Sequence, residues 1–269
     1  MEQVQAIQVS DQKAKGLRWW NLSMGFLHLI QGIVVLALST SFSLPVVGNF
    51  LRFDVLTQSL QPYPETLFNI NIGVAVAVFL FLSAFFHFLV STVFYKTYLK
   101  NLSQHINIFR WIEYSFSASI MLVIISMLVG IYDIAALIVI FGINAAMILF
   151  GWIMEKHNGS TSLTTGQNAK TDWTSFAFGS IIGAIPWIAI ALYLFFAGGD
   201  GQKAPSFVYW IYFSIFVFFN CFAINQILQY KKTGKWQDYL YGEKVYIILS
   251  LVAKSLLAWQ VFAGTLRPM

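Results

Sequence analysis

Seven stretches of this sequence are each apolar for long enough to cross a bilayer: about residues 18–40, 67–95, 106–130, 134–155, 173–197, 206–230 and 243–266. A spanning helix needs about 20 such residues, and in lipid a chain can satisfy its backbone polar groups only within helices or closed barrels. Runs of this length predict helices. The chain therefore reads as one all-α, seven-helix transmembrane domain over residues 1–269, with no room for a second domain. Charged residues make up 10% of it, against about a quarter in soluble domains, which excludes an ordinary water-soluble enzyme. The net charge of +5 needs no nucleic acid, because the basic residues flank apolar runs as they do in membrane proteins generally.

The connections carry their own signals. Residues 1–17 are polar and lack the apolar core and cleavage site of a signal peptide, so this segment is expected to stay on the mature protein. Gly130 and Asp133 mark a very short turn, and Ala197-Gly-Gly-Asp-Gly201 marks another. Lys156 to Asp172 reads as a solvated loop. No internal repeat is visible, which disfavours inverted-repeat transporters. Within residues 41–66, Gly48-Asn49 between Val46-Val47 and Phe50-Leu51 is a two-residue hairpin signal. It predicts a small antiparallel ribbon on one membrane face. With the N-terminus inside, twelve Lys and Arg lie on the inner side and three outside; the positive-inside rule then puts the N-terminus in the cytoplasm and the C-terminus outside. Cys221 is the single cysteine and has no intrachain disulfide partner.

One basic residue belongs to neither side. Lys254 lies eleven residues after Glu243, about 16 Å along a helix, near the middle of the bilayer. Placing lysine there costs at least about 2.5–3.5 kcal/mol and marks a functional site by default; the alternative is a structural ion pair between helices. An amine held away from water can attack an aldehyde and form a Schiff base. The carboxylate set well inside a predicted span is Glu113, which makes it the candidate partner, with Arg110 one turn nearer the helix end. His28 and His87 fall at matched depth in the first two spans, and Ser250 sits one turn before Lys254. Together with Glu113 they outline a polar cavity, although either histidine alone would be read as an interhelical hydrogen bond. No metal-ligand spacing is present. Trp187, Phe219 and Trp259 fall near the middle of the last three spans and could line a flat apolar pocket. Pro186 would kink the fifth span, and Gly179 with Gly183 form a close-packing GxxxG.

Longer blocks are recognisable. Leu249-Ser-Leu-Val-Ala-Lys-Ser-Leu-Leu-Ala-Trp-Gln260, Asn107-Ile-Phe-Arg-Trp-Ile-Glu-Tyr-Ser115, Phe141-Gly-Ile-Asn-Ala-Ala-Met-Ile-Leu-Phe-Gly-Trp152 and Gly234-Lys-Trp-Gln-Asp-Tyr-Leu240 resemble heliorhodopsins, retinal proteins of inverted membrane orientation. The resemblance runs over about residues 18–266. It implies a rhodopsin-like bundle with all-trans retinal on Lys254, Glu113 as counterion of the protonated Schiff base, and His28, His87 and Ser250 in the cavity beside it. It further implies that Asn144, Met147, Trp187, Phe219 and Gln226 line the retinal, and that the loop after the first span forms an extracellular β-ribbon contributing to a homodimer. Ala118 departs from a stretch that is more serine-rich in some relatives.

The resemblance implies a non-enzymatic light sensor in the cell membrane with a slow signalling photocycle. From Tyr114 to Gly130 no second acid follows Glu113, which argues against an outward proton pump. The competing readings are a light-gated or passive proton conductor through Glu113, His28 and His87, and a retinal-free scaffold held by a Lys254–Glu113 pair. The basic loops with Lys231, Lys232 and Lys235 suit anionic lipid or an acidic cytoplasmic partner.

Overall fold

The computed structural model of the protein describes residues 10–165, 170–196 and 203–265. The chain runs α1 (Asp11–Leu38), β1 (Ser43–Asp54), β2 (Ser59–Asn71), α2 (Ile72–Ser91), α3 (Tyr95–Ser103), α4 (Ile108–Leu128), α5 (Ile134–Thr165), α6 (Thr174–Phe196), α7 (Ser206–Tyr230), a 3-10 turn at Gly234–Gln237, and α8 (Tyr239–Thr265). All the helices except the short α3 are long and apolar enough to span a membrane. The protein is a multi-pass, seven-helix membrane bundle with a two-stranded antiparallel ribbon. The glycine cluster expected to turn the chain at 197–201, the polar residues 1–9 and the middle of the polar connection at 166–169 lie outside the described residues.

Three caps set where helices begin. Asn71 accepts from the backbone N–H of Val74 at 2.9 Å, Asn107 from that of Arg110 at 3.1 Å, and Asp133 from that of Ala136 at 3.0 Å, each satisfying one of the free donors of a first turn. The second predicted span began at residue 67, whereas α2 begins at Ile72. Residues 67–71 are apolar enough to read as helix but are claimed by β2, where Phe68 pairs with Val46 and Asn71 with Ser43. Two further differences bear on function. The fourth spanning helix, α5, continues past residue 155 and the last starts at Tyr239 rather than 243, so Glu155 and Glu243, expected at span ends, lie within helices and are buried.

The ribbon exists, but its turn is elsewhere. Gly48 and Asn49 lie in mid-strand opposite Glu65 and Pro64, and the chain reverses at residues 55–58. There Asp54 Oδ1 accepts from the N–H of Leu56 at 2.8 Å and Gln58 takes φ +50°. Gly48 serves packing: a Cβ there would come within 2.7 Å of the Phe50 ring. The ribbon is fastened to the bundle by Val47 N–H donating to Tyr132 O at 2.8 Å and by Asn49 Nδ2 donating to Asp133 Oδ2 at 2.8 Å. Hydrogen bonds from the Ala136 N–H and from Asn49 hold the Asp133 carboxyl below the usual carboxylate range.

Helix α4 is the most enclosed. It packs on α2 and α5; α5 packs on α6, α7 on α8, and α8 closes against α1, while the backbones of α6 and α7 stay apart and the two helices meet through large aromatic side chains. Near the ribbon end the interior is apolar, built from residues such as Phe79, Leu80, Met121, Leu122, Ile215 and Leu257. Lipid is as apolar as this core, so close packing rather than water exclusion holds such helices together. Accordingly Ile181, Ile188 and Trp210 face outward. Polar side chains concentrate in the other half, where the site is.

Candidate functional site

Lys254 and Glu113 meet between α8 and α4. Lys254 Nζ lies 2.6 Å from Glu113 Oε1 and 2.9 Å from Ser250 Oγ, with 3% of the lysine and 6% of the glutamate exposed. The lysine side chain leans toward the start of its helix, one turn back onto Ser250. Its nitrogen also lies 5.0 Å from the centre of the Tyr114 ring, a cation–π distance. Ser83 of α2 donates to the same Glu113 oxygen at 2.7 Å. Ser83 was not foreseen; a serine in an apolar helix carries little signal unless its facing residue is known.

The two predicted cavity histidines are neighbours. Their rings stack at 5.6 Å with an angle of 11° between planes. His87 Nδ1 is hydrogen-bonded to Asn21 Oδ1 at 2.9 Å, whereas His28 is buried with neither ring nitrogen hydrogen-bonded to a protein group. His87 lines a small polar cavity of about 40 Å³ together with Ser83, Glu113, Arg110 and Glu243; His28 stands behind it.

On the other side of Lys254 is a larger cavity of about 290 Å³, close to the lower end of the range of about 300–1,000 Å³ for small-molecule sites. Its walls include Met147, Gly179, Gly183, Trp187, Phe216, Phe219, Gln226, Ser250 and Lys254, which brings together most of the predicted pocket. Gly183 matters here because a Cβ would run into the Met147 side chain, and a Cβ on Gly179 would come within 3.1 Å of Phe150 Cβ; the GxxxG seats α6 against α5 and shapes the wall. Trp187 is held edge-on by Tyr212, Phe216 and Phe219, with ring centres 5.2–5.6 Å away. Exposed lining residues Ser180, Ala184, Phe216 and Asn220 show that the cavity opens sideways between α6 and α7.

Two predicted lining residues stand elsewhere. Asn144 is fully buried but not on the cavity wall; its Nδ2 donates to Ser119 Oγ at 3.0 Å, which turns it toward α4. Trp259 is 40% exposed and its Nε1 donates to Gln31 at 3.2 Å, on the outer face between α8 and α1.

A chain with these features fits a long, flat, apolar ligand with an amine-reactive end: an apolar slot, glycines where its wall needs space, and a lysine at one side beside a carboxylate. The heliorhodopsin family model matches residues 17–266. The chain belongs to the heliorhodopsin family. It is thus a retinal-binding rhodopsin of the membrane. Comparison with curated proteins gives no match. The slot beside Lys254 suits the retinal chromophore of a heliorhodopsin. Among the described residues no group of three or more His, Cys, Asp or Glu is placed to hold a metal ion.

A second buried cluster lies one turn from Glu113. Arg110, assumed in the charge count to be an inner-surface cation, is buried and forms ion pairs with Glu155 at 2.8 Å and with Glu243. Glu155 also accepts from the Asn107 N–H at 2.8 Å, from Tyr239 OH at 2.9 Å and from Trp111 Nε1. Glu243 accepts from Asn107 Nδ2 at 2.7 Å. The sequence clue was Arg110 itself, three residues from Glu113 and too deep for the headgroups if Glu113 is buried.

Proposed function

We propose that this heliorhodopsin is a non-pumping, non-enzymatic light sensor in which all-trans retinal is bound to Lys254 as a protonated Schiff base, with Glu113 as its counterion. The observation that carries this reading is the 2.6 Å contact between Lys254 Nζ and Glu113 at the wall of the apolar cavity. When bound, retinal supplies light absorption and isomerisation of its polyene. The protein does the rest. Lys254 holds the positive charge, and Glu113 balances it at a site where an unpaired charge would be costly. Ser250 and Ser83 orient the two partners, while Met147, Trp187, Phe219 and Gln226 fill the flanks and exclude water.

The distribution of acids supports a sensor over a pump. Among the described residues the buried carboxylates are Glu113, Glu155 and Glu243, all in the half of the bundle away from the ribbon. A one-way pump needs proton-exchanging groups toward both faces, and the ribbon half is apolar. The basic loops at the opposite end support a cytoplasmic N-terminus and a surface for anionic lipid. The exposed apolar side chains Leu51, Phe53 and Leu60 on the ribbon support its use in a homodimer. A cytoplasmic signalling partner would dock at the basic end.

The polar cavity joining His87, Glu113 and Glu243 favours one second reading, a light-gated proton conductor. Photocurrents under voltage clamp in lipid bilayers separate the two. A sensor gives no sustained light-evoked current in a protein that bleaches and recovers; a sustained current overturns the sensor reading.

A further inference from the structure

The Arg110 cluster contains two carboxylates and one guanidinium, all buried. It is therefore one positive charge short of neutrality, in surroundings where an unbalanced charge is expensive. A single added proton would balance it. The two acids are not equivalent. Glu155 already accepts four hydrogen bonds, from Arg110, Trp111, Tyr239 and the Asn107 backbone, which fills the acceptor sites of a carboxylate. Glu243 accepts two, from Arg110 and Asn107 Nδ2, and it borders the small polar cavity, as Glu113 does. That cavity measures about 40 Å³ and is walled by Asn21, Ser83, His87, Tyr98 and Asn107, among others. A polar site needs at least roughly 10–15 Å³ to hold a water, so the cavity has room for water between the two carboxylates.

We propose that Glu243 receives the proton that leaves the Lys254 nitrogen in the light, relayed by Glu113 through this cavity, and that it returns the proton when the site resets. The proposal rests on the light-sensor reading above and adds to it the place where the proton waits. One proton moves and no electrons do. The N–H bond on Nζ breaks as an O–H bond forms on Glu113, and that proton then passes through cavity water to a Glu243 oxygen. Arg110 and Glu155 remain an ion pair, so the whole cluster becomes neutral. Donor and acceptor lie in the same half of the membrane, so the excursion transports nothing. The other ionisable groups around Glu243 are the phenols of Tyr98, Tyr114, Tyr239 and Tyr246, uncharged at neutral pH, and His87, which shares the cavity.

Infrared spectroscopy of the carboxylic-acid stretch tests this in two arms. In the retinal-free protein, a pH titration should show one buried carboxyl that gains a proton, absent from Glu243→Gln, shifted in frequency but present in Glu243→Asp, and retained in Glu113→Gln. In the retinal-loaded protein, a carboxyl band should rise as the visible absorption reports loss of the nitrogen proton. Glu243→Gln should cut the yield or lifetime of that deprotonated state by about tenfold or more, equal to about 1.4 kcal/mol, and Glu243→Asp should restore the band. If the titrating carboxyl persists in Glu243→Gln, or disappears only in Glu113→Gln, the proposal is wrong whether or not the protein is coloured. A coloured protein whose deprotonated state forms with no carboxyl band, as transfer to His87 or to water would give, also overturns it. A protein that never takes up colour with retinal refutes the sensor reading instead, and the retinal-free titration still decides the site.

Discussion

Removing either member of the Lys254–Glu113 pair should destabilise the retinal-free protein far more than removing both. In the structure Nζ and Oε1 are 2.6 Å apart and both side chains are almost fully buried. Two unit charges at that distance attract by about 6 kcal/mol at an effective dielectric constant of about 20. Much of that gain is cancelled by the cost of taking both groups out of water, so the pair as a whole contributes little net stability. Breaking it is another matter, because one charge is left buried without compensation, at a cost of about 3–5 kcal/mol. Glu113→Gln leaves the ammonium with Ser250 Oγ at 2.9 Å as its remaining close polar partner; Lys254→Met leaves the carboxylate with Ser83. Each single variant should fall in that range, and the double variant should cost less than either. Equilibrium unfolding in mixed micelles measures all four proteins, and the coupling energy should be at least about 3 kcal/mol. Single costs under about 1 kcal/mol, or costs that simply add in the double variant, would refute the claim that these residues form one electrostatic unit.

In the retinal-loaded protein, Glu113→Gln should move the visible band to longer wavelength, because the anion that stabilises positive charge at the nitrogen is gone; an unchanged spectrum would exclude the counterion role. Ala184→Trp should slow colour formation on adding retinal to membranes by about tenfold or more, about 1.4 kcal/mol of barrier, since it narrows the opening between α6 and α7; unaltered uptake would mean that retinal arrives by another route. Asp133→Ala should cost about 1 kcal/mol as a lost helix cap and speed amide exchange at Val47, whose hydrogen bond fastens the ribbon. The Asp133 carboxyl is held below its ordinary range, so its contribution is complete above about pH 4 and is lost as the pH falls through the lowered value. Faster Val47 exchange on acidification in the parent protein, absent from Asp133→Ala, checks that sign.

The bundle was legible because lipid permits so few backbone solutions that seven apolar runs of sufficient length amount to an architecture. Lys254 and Glu113 were legible for the same reason: an ionisable group far from a span end needs a partner. What misled was context at the ends of the runs. Glu155 and Glu243 looked like headgroup-level residues because Lys156 and Lys244 follow them, yet α5 runs on and α8 starts earlier, and Arg110 draws both acids inside. The hairpin is present, but its turn was misplaced in a similar way. Gly48-Asn49 has the composition of a turn, but Gly48 is there for the Phe50 ring, and Asp54 makes the reversal farther on. Asn144 and Trp259 show the limit of mid-span depth as a guide, since depth does not say which face of a helix a side chain occupies.

The most direct test of the account is where retinal is attached. The protein should be loaded with retinal, reduced with borohydride under illumination, digested and sequenced by mass spectrometry. The account expects the pigment mass on the peptide that contains Lys254 and on no other, together with a colourless Lys254→Ala variant. Pigment on a different lysine, or colour that survives in Lys254→Ala, would contradict it.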